Sequence, residues 1–349
     1  MVGLLAIAGV ASAAAPQPTT LVRTPAQVKA LTQDGGLVAW LGGDGKKCNS
    51  VHVTGNGKAF TLPQPSNTST TCHWAIPSGA ADLALAAGAT PVAALWTLHE
   101  SGSDLLMTAQ VGGKEIKVDR IAHAGGTGWW LGGLVGGGTT LAYSSVDVEY
   151  VDPLACGSGG SCKKKIAGGG IDLVTAGEKT VLPHAGPALE LAVSPGRIAY
   201  IPATTVATNG VPTSSPGAMV QVENVSNGAV VSRATPVGIP LAVGLSAHVL
   251  AVLSTYAQGS LRITWYNPTT GHKLGGIGVP LGTNAIAVSD QFIVYRFGHT
   301  LQAFVLATQH ARPLGTINTP YVGLSLDDGR LVWAENYNAY GLIRGLSIH

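Results

Sequence analysis

Ten histidines, four cysteines and one dense group of carboxylates are the side chains of this 349-residue sequence whose chemistry could go beyond packing. The histidines, at 52, 73, 99, 123, 184, 248, 272, 299, 310 and 349, show neither H-x-H nor H-E-x-x-H spacing, so taken singly each reads as a polar surface residue. His123 and His184 stand apart because each closes a run of similar form, RIAH and VLPH, which puts the pair at equivalent corners of successive repeats. There they could share a metal or catalytic role. Asp147, Glu149 and Asp152, in VDVEYVDP, form the densest acidic cluster; alternation puts Asp147 and Glu149 on one face of a strand, with too few oxygen ligands for calcium. Lys163, Lys164 and Lys165 read as a solvated hairpin tip, with contact to an anionic envelope polymer as the alternative. Trp129 and Trp130 offer an aromatic platform for a sugar or peptide, or else core packing.

An even number of cysteines in an exported chain is usually paired, and four allow three pairings. Local closure favours Cys156 with Cys162, around the flexible GSGGS loop, and Cys48 with Cys72. Zinc is disfavoured because the adjacent Cys72 and His73, with wide gaps to the rest, suit a tetrahedron poorly. No G-x-S-x-G elbow, P-loop or dinucleotide fingerprint is present, and the glycine runs at 132–138 and 168–170 read as turns. The expected cofactor set is empty, no metal site is predicted, and no catalytic residue can be named.

The elements that must position these groups are strands. Charged residues are only 11% of the chain against a hydrophobic 46%, and the formal charge is +2 from scattered basic residues, which gives no electrostatic footprint for nucleic acid. Short runs of Val, Ile, Leu, Thr and Tyr recur between Gly, Pro, Asn and Asp clusters, and long amphipathic helical stretches are missing. Residues 1–15, MVGLLAIAGVASAAA, read as a secretory signal ending in small residues at Ala-Ser-Ala, although no Lys or Arg precedes the apolar core. The run is too short to span a bilayer, which takes about 20 apolar residues.

One phrase recurs seven times: a small-apolar strand, a turn, then apolar-Ala/Val-Tyr/Trp. Its aromatic markers are Trp40, Trp96, Tyr143, Tyr200, Tyr295 and Trp333, with Leu253 taking the place in the fifth copy. The successive separations of 56, 47, 57, 53, 42 and 38 residues match propeller blades, whose period is about 40–50. Third and fourth strands follow each copy, with endings such as KAFTLP (58–63) and SRATP (232–236), and Asn-Pro-Thr-Thr-Gly at 267–271 reads as a tight link between them. The seventh copy lacks a fourth strand, and TTLVRTP at 19–25 supplies one. The predicted fold is therefore all-β: a seven-bladed β-propeller over 19–349, of four-stranded antiparallel blades, with the N-terminal strand closing the last.

LAVSPGRIAYI and AVSDQFIVYRF resemble the TolB-like, YVTN-type and WD40-like bacterial propellers, a resemblance that implies fold alone. Titratable residues on the innermost phrases are confined to Lys29 and Glu190, which read as solvated rim residues. The expectation is a monomeric protein, periplasmic, envelope-bound or extracellular, without a membrane span. Its expected role is a non-enzymatic platform for a protein or envelope component, such as a glycan. The alternative is a lyase or hydrolase on a polysaccharide or cyclic substrate, working at the channel mouth.

Overall fold

The computed structural model describes residues 17–42, 50–62, 83–100, 103–124, 126–152, 162–318 and 321–349, with backbone alone at 98–100, 123 and 321. Residues 1–15, with the expected signal, lie outside them, as do Cys48, Cys72 and Cys156.

After β1 (Thr19–Thr24) the chain lays down six complete antiparallel blades of four strands in order, blades 2 and 3 being joined edge to edge into one eight-stranded sheet by the short pairing of His123 and Ala124 with Gly128 and Thr127. Blade 1 is β2 (Val28–Asp34), β3 (Leu37–Gly42), β4 (Ser50–Gly55) and β5 (Lys58–Thr61). Blade 2 is β6 (Leu83–Ala86), β7 (Ala93–Glu100), β8 (Ser103–Gln110) and β9 (Ile116–Ala124). Blade 3 has the long strands β10 (Thr127–Gly137), β11 (Thr140–Tyr150) and β12 (Lys164–Thr175) before the short β13 (Glu178–Val181). Blade 4 begins with β14 (Ala188–Ser194) and β15 (Arg197–Pro202), carries a small hairpin of β16 (Thr205–Val206) and β17 (Pro212–Thr213), and ends with β18 (Val220–Asn224) and β19 (Val230–Ala234). Blade 5 is β20 (Pro240–Leu245), β21 (Leu250–Thr255), β22 (Leu261–Tyr266) and β23 (Lys273–Val279). Blade 6 is β24 (Thr283–Val288), β25 (Phe292–Phe297), β26 (Thr300–Val305) and β27 (His310–Thr316). Blade 7 supplies β28 (Tyr321–Asp327), β29 (Arg330–Asn336) and β30 (Gly341–Ser347), and β1 completes it in the order β1-β30-β29-β28.

The repeated phrase is explained by what its side chains touch. In each second strand the marker side chain packs on the preceding blade and the residue before it on the following one. Tyr200 sits with Ala142 and Ile171 of blade 3, whereas Ala199 sits with Val243 and Val252 of blade 5. One apolar cluster fills each of the seven joints of the ring. A fully buried side chain of this size stabilises by about 1.5–3 kcal/mol, so the marker positions contribute strongly to cohesion between blades. Among them, Tyr143 Oη donates to Asp119 at 2.7 Å, Tyr200 Oη to Glu223 at 2.8 Å and Trp333 Nε1 to Glu335 at 3.2 Å, whereas the buried Trp96 Nε1 has no partner among the described residues.

Two sequence readings are corrected by the register. A bulge recurs on the innermost strand, at Lys29, Leu189, Leu241 and Asn284, and the marker in the second strand pairs two residues beyond it. In blade 5 that residue is Val252, opposite Val243, and not Leu253. The glycine runs are strand, not turn: Gly132–Gly137 lie in β10 and Gly168–Gly170 in β12. A Cβ on Gly132 would stand 2.0 Å from Ala188 O, and one on Gly136 2.5 Å from Leu85 O, so these glycines let innermost strands of neighbouring blades approach each other. The Asn267–Gly271 link is the expected tight turn, with Gly271 N–H donating to Asn267 O at 2.9 Å.

Candidate functional site

Because successive strands reverse, each blade puts its first and third hairpin turns on one face of the disc, here the turn face. Its second connection and the link to the next blade lie on the other, the crossover face.

Carboxylates on the turn face stitch blades together. Asp34 Oδ2 accepts Ala87 N–H of blade 2 at 2.7 Å, and Asp327 Oδ2 accepts Gly36 N–H of blade 1 at 3.0 Å. Asp290 takes both the backbone N–H and Nδ1 of His248, at 2.9 and 2.8 Å. Burial, with a smaller contribution from Asp327, pushes the Asp34 carboxyl above its usual range.

Beside the ring axis, Gln33 Nε2 donates to Ser325 O and Arg330 O of blade 7, both at 2.7 Å, and Asn284 accepts from Arg296. Glu190, read as a solvated rim residue, is half-buried. It lies on β14, the innermost strand of blade 4, and burial pushes its carboxyl up to about 7. Lys29 is half-buried at its bulge. Among the described residues no three His, Cys, Asp or Glu side chains gather as a metal site would require. Nothing in this geometry supports the lyase or hydrolase alternative.

The crossover face differs. Thirteen large hydrophobic side chains are exposed among the described residues. None of them falls in a hairpin turn of the turn face, and those away from the outer strands gather on the crossover side of blades 3 to 6. Val151, Val211, Met219, Val237, Tyr256 and Leu281 stand in the crossover connections themselves, with Leu281 73% and Val237 57% exposed. The loops are held in place: Gly217 N–H donates to Gly238 O at 2.8 Å, and Thr255 N–H to Ile239 O at 2.9 Å.

The elongated hairpin of blade 3 rises on this side and separates the two tryptophans by strand alternation. Trp130 packs with Val146, Ile166 and Ala203 against blade 4. Trp129 is 45% exposed on the other side, over a cleft of about 470 Å³ between β9 of blade 2 and blade 3. Asp119 and Arg120 line that cleft from β9, Asp172 from β12 and Lys179 from β13. Lys179 Nζ and Tyr143 Oη both reach Asp119 Oδ2 at 2.7 Å. Although burial opposes ionisation there, these two donors hold the Asp119 carboxyl below its usual range. Tyr143, buried and flanked by Asp119 and Asp172, keeps its proton well above the ordinary tyrosine range. Of this group the sequence marks Tyr143 as a repeat residue and Trp129 alone as a candidate binding surface.

The remaining sequence candidates lie apart. The backbone of His123 is in β9, paired with Gly128, while His184 is exposed with φ +67° in the field of Glu223. Asp147 pairs across to Trp129 and Gly168, and burial followed by repulsion from Glu149 raises its carboxyl. Lys164 and Lys165 lie in β12, where Lys165 faces Glu149. Cys162 is the one cysteine among the described residues, which hold no free thiol.

No protein-family model matches this sequence, and no curated protein does. Solved structures match by shape. A chain of a mitotic checkpoint complex aligns over 100% of this chain and 99% of its own, at 14% identity and a TM-score of 0.53. The chain is a seven-bladed β-propeller. A puromycin-hydrolysing peptidase of Mycobacterium tuberculosis aligns over 92% of this propeller but only 52% of its own chain, at 15% identity and a TM-score of 0.51. The Dos1 propeller covers 91% of this chain and 77% of its own, at 10% identity and a TM-score of 0.49. At such identities the likeness concerns fold alone. Among the described residues no helix is long and apolar enough to cross a membrane.

Proposed function

We propose that this propeller is an exported, non-enzymatic scaffold that holds a protein partner on its crossover face, in the cell envelope or outside the cell. One observation carries the reading: the exposed apolar side chains away from the outer strands are concentrated on one face, over blades 3 to 6, on loops tied down by backbone hydrogen bonds. Gathered apolar surface of this kind marks interaction sites, and preorganised loops reduce the ordering cost of binding. On the opposite face, Asp34, Asp290 and Asp327 are engaged between blades, and among the described residues its turns lack such side chains. The propeller in the mitotic checkpoint complex is part of a protein assembly, which accords with a protein ligand.

The test is a tagged protein recovered from cross-linked envelope fractions, compared with V237E/L281E and with the turn-face variant H248A. All three sites are exposed, so folding is preserved. The partner should be lost from V237E/L281E and kept by H248A. Equal recovery from both variants would remove the crossover face from the account.

A further inference from the structure

We propose that the cleft between blades 2 and 3 is a binding site for a neutral, hydroxyl-rich saccharide, with Trp129 as its stacking platform. This site is separate from the apolar loops of the crossover face and does not depend on them. Its volume, about 470 Å³, lies within the range of about 300–1,000 Å³ usual for small-ligand clefts. The wall chemistry selects the ligand. An indole 45% exposed at the edge of a cleft offers an apolar face to the C–H side of a sugar ring, and its edge a polar N–H. Opposite it stand acceptors and donors in balance: the carboxylates of Asp119 and Asp172, the cations of Arg120 and Lys179. Two charges of each sign leave no net field to favour an anion or a cation, whereas alternating hydroxyl groups can both donate to and accept from such a wall.

The space exists because of glycine. Gly169 and Gly170 line the cleft from β12, and a Cβ at Gly170 would meet nothing closer than Ala185 O at 3.5 Å. A side chain at Gly170 would enter it, whereas a Cβ at Gly169 would strike Ser145 O at 2.2 Å. The Asp119 carboxylate is also fixed in place, since Tyr143 and Lys179 both bond its Oδ2 at 2.7 Å, so this part of the polar wall is preorganised before any ligand arrives.

The experiment is calorimetric titration of the full protein with chitobiose, chitotriose, cellobiose and maltotriose, alongside a neutral hexapeptide, with tryptophan fluorescence read in parallel. At least one oligosaccharide should bind saturably with a change in emission. W129A should weaken it about tenfold or more, the loss expected for one aromatic contact and its buried area. W129F should retain most of the affinity while losing the emission change, which a merely structural role for Trp129 would not produce. D172N, whose shape is unchanged, should weaken binding without moving the melting temperature. Lack of saturable binding to all four sugars, binding of the peptide in their place, or unchanged affinity in W129A would each overturn the site. Loss of sugar binding in V237E/L281E is not expected, so this site and the crossover-face reading stand or fall separately.

Discussion

Asn336 and Val28 lock the ring at the joint where its two ends meet. The Asn336 Oδ1 accepts the Val28 N–H and its Nδ2 donates to the Val28 carbonyl, both at 2.8 Å and both buried. Beside them Thr24 Oγ1 accepts from Gly341 N–H at 3.0 Å, and Arg23 lies 3.9 Å over the Tyr340 ring. N336A should cost about 2–4 kcal/mol, because it leaves a buried donor and acceptor unpaired, and the midpoint of denaturant unfolding will show it. Deleting residues 17–25 should cost more. It exposes the edge of β30 and invites strand addition, so light scattering should detect association along with a lowered melting temperature. A monomer with unchanged melting would contradict closure by β1.

Glu190 gives the protein a pH dependence of definite sign. Its carboxyl titrates near 7 in the folded chain, against an ordinary value of 4.5. Between those values the folded state binds a proton that the unfolded state has released, so this group's contribution falls as pH rises through about 7. E190Q should therefore match the wild type at pH 4.5 and exceed it by about 1–3 kcal/mol at pH 8, read from paired urea titrations. Parallel curves across that range would place the Glu190 carboxyl in an ordinary environment.

The two kinds of strand glycine should separate on substitution. G132A puts a Cβ 2.0 Å from Ala188 O and 2.3 Å from Ser144 Oγ, a backbone clash costing at least about 1–3 kcal/mol. G170A meets ordinary contact at 3.5 Å, so its melting temperature should stay near that of the wild type while saccharide affinity falls.

How much of this was legible in the sequence follows from which contacts repeat. Alternation of Ala199 and Tyr200 between two neighbouring joints imposes the same demand on every blade, so the period, the strand order and the closing role of β1 could all be read. Val252 was missed because an aliphatic residue fills the fifth joint, and an aromatic search settles on the wrong neighbour. The glycine runs were misread since glycine serves turns and close strand approach alike, and only the neighbouring backbone, Ala188 O or Leu85 O, tells them apart. The cleft was nearly invisible. Asp119, Asp172 and Lys179 come from three strands of two blades, with no spacing to mark them, and Trp129 alone suggested a surface.

Export and oxidation can be checked together. N-terminal sequencing of the secreted protein should begin just after Ala13 or Ala15, and peptide mapping without reduction should find Cys156 joined to Cys162 and Cys48 to Cys72. Reduction should lower the melting temperature without abolishing the fold, since each bridge is worth about 2–4 kcal/mol. An intact N-terminus with four free thiols would place the protein in a reducing compartment.

The central claim, that one face of the disc carries the partner, is tested most directly by a photo-activated cross-linking residue placed singly at 211, 237, 256 and 281 on the crossover face. The same residue at 196, 248 and 329 on the turn face is the comparison, with irradiation in the exporting cells. A discrete protein adduct from the first set and none from the second is the predicted result. Adducts confined to the turn face, or no adduct at any position, would contradict it.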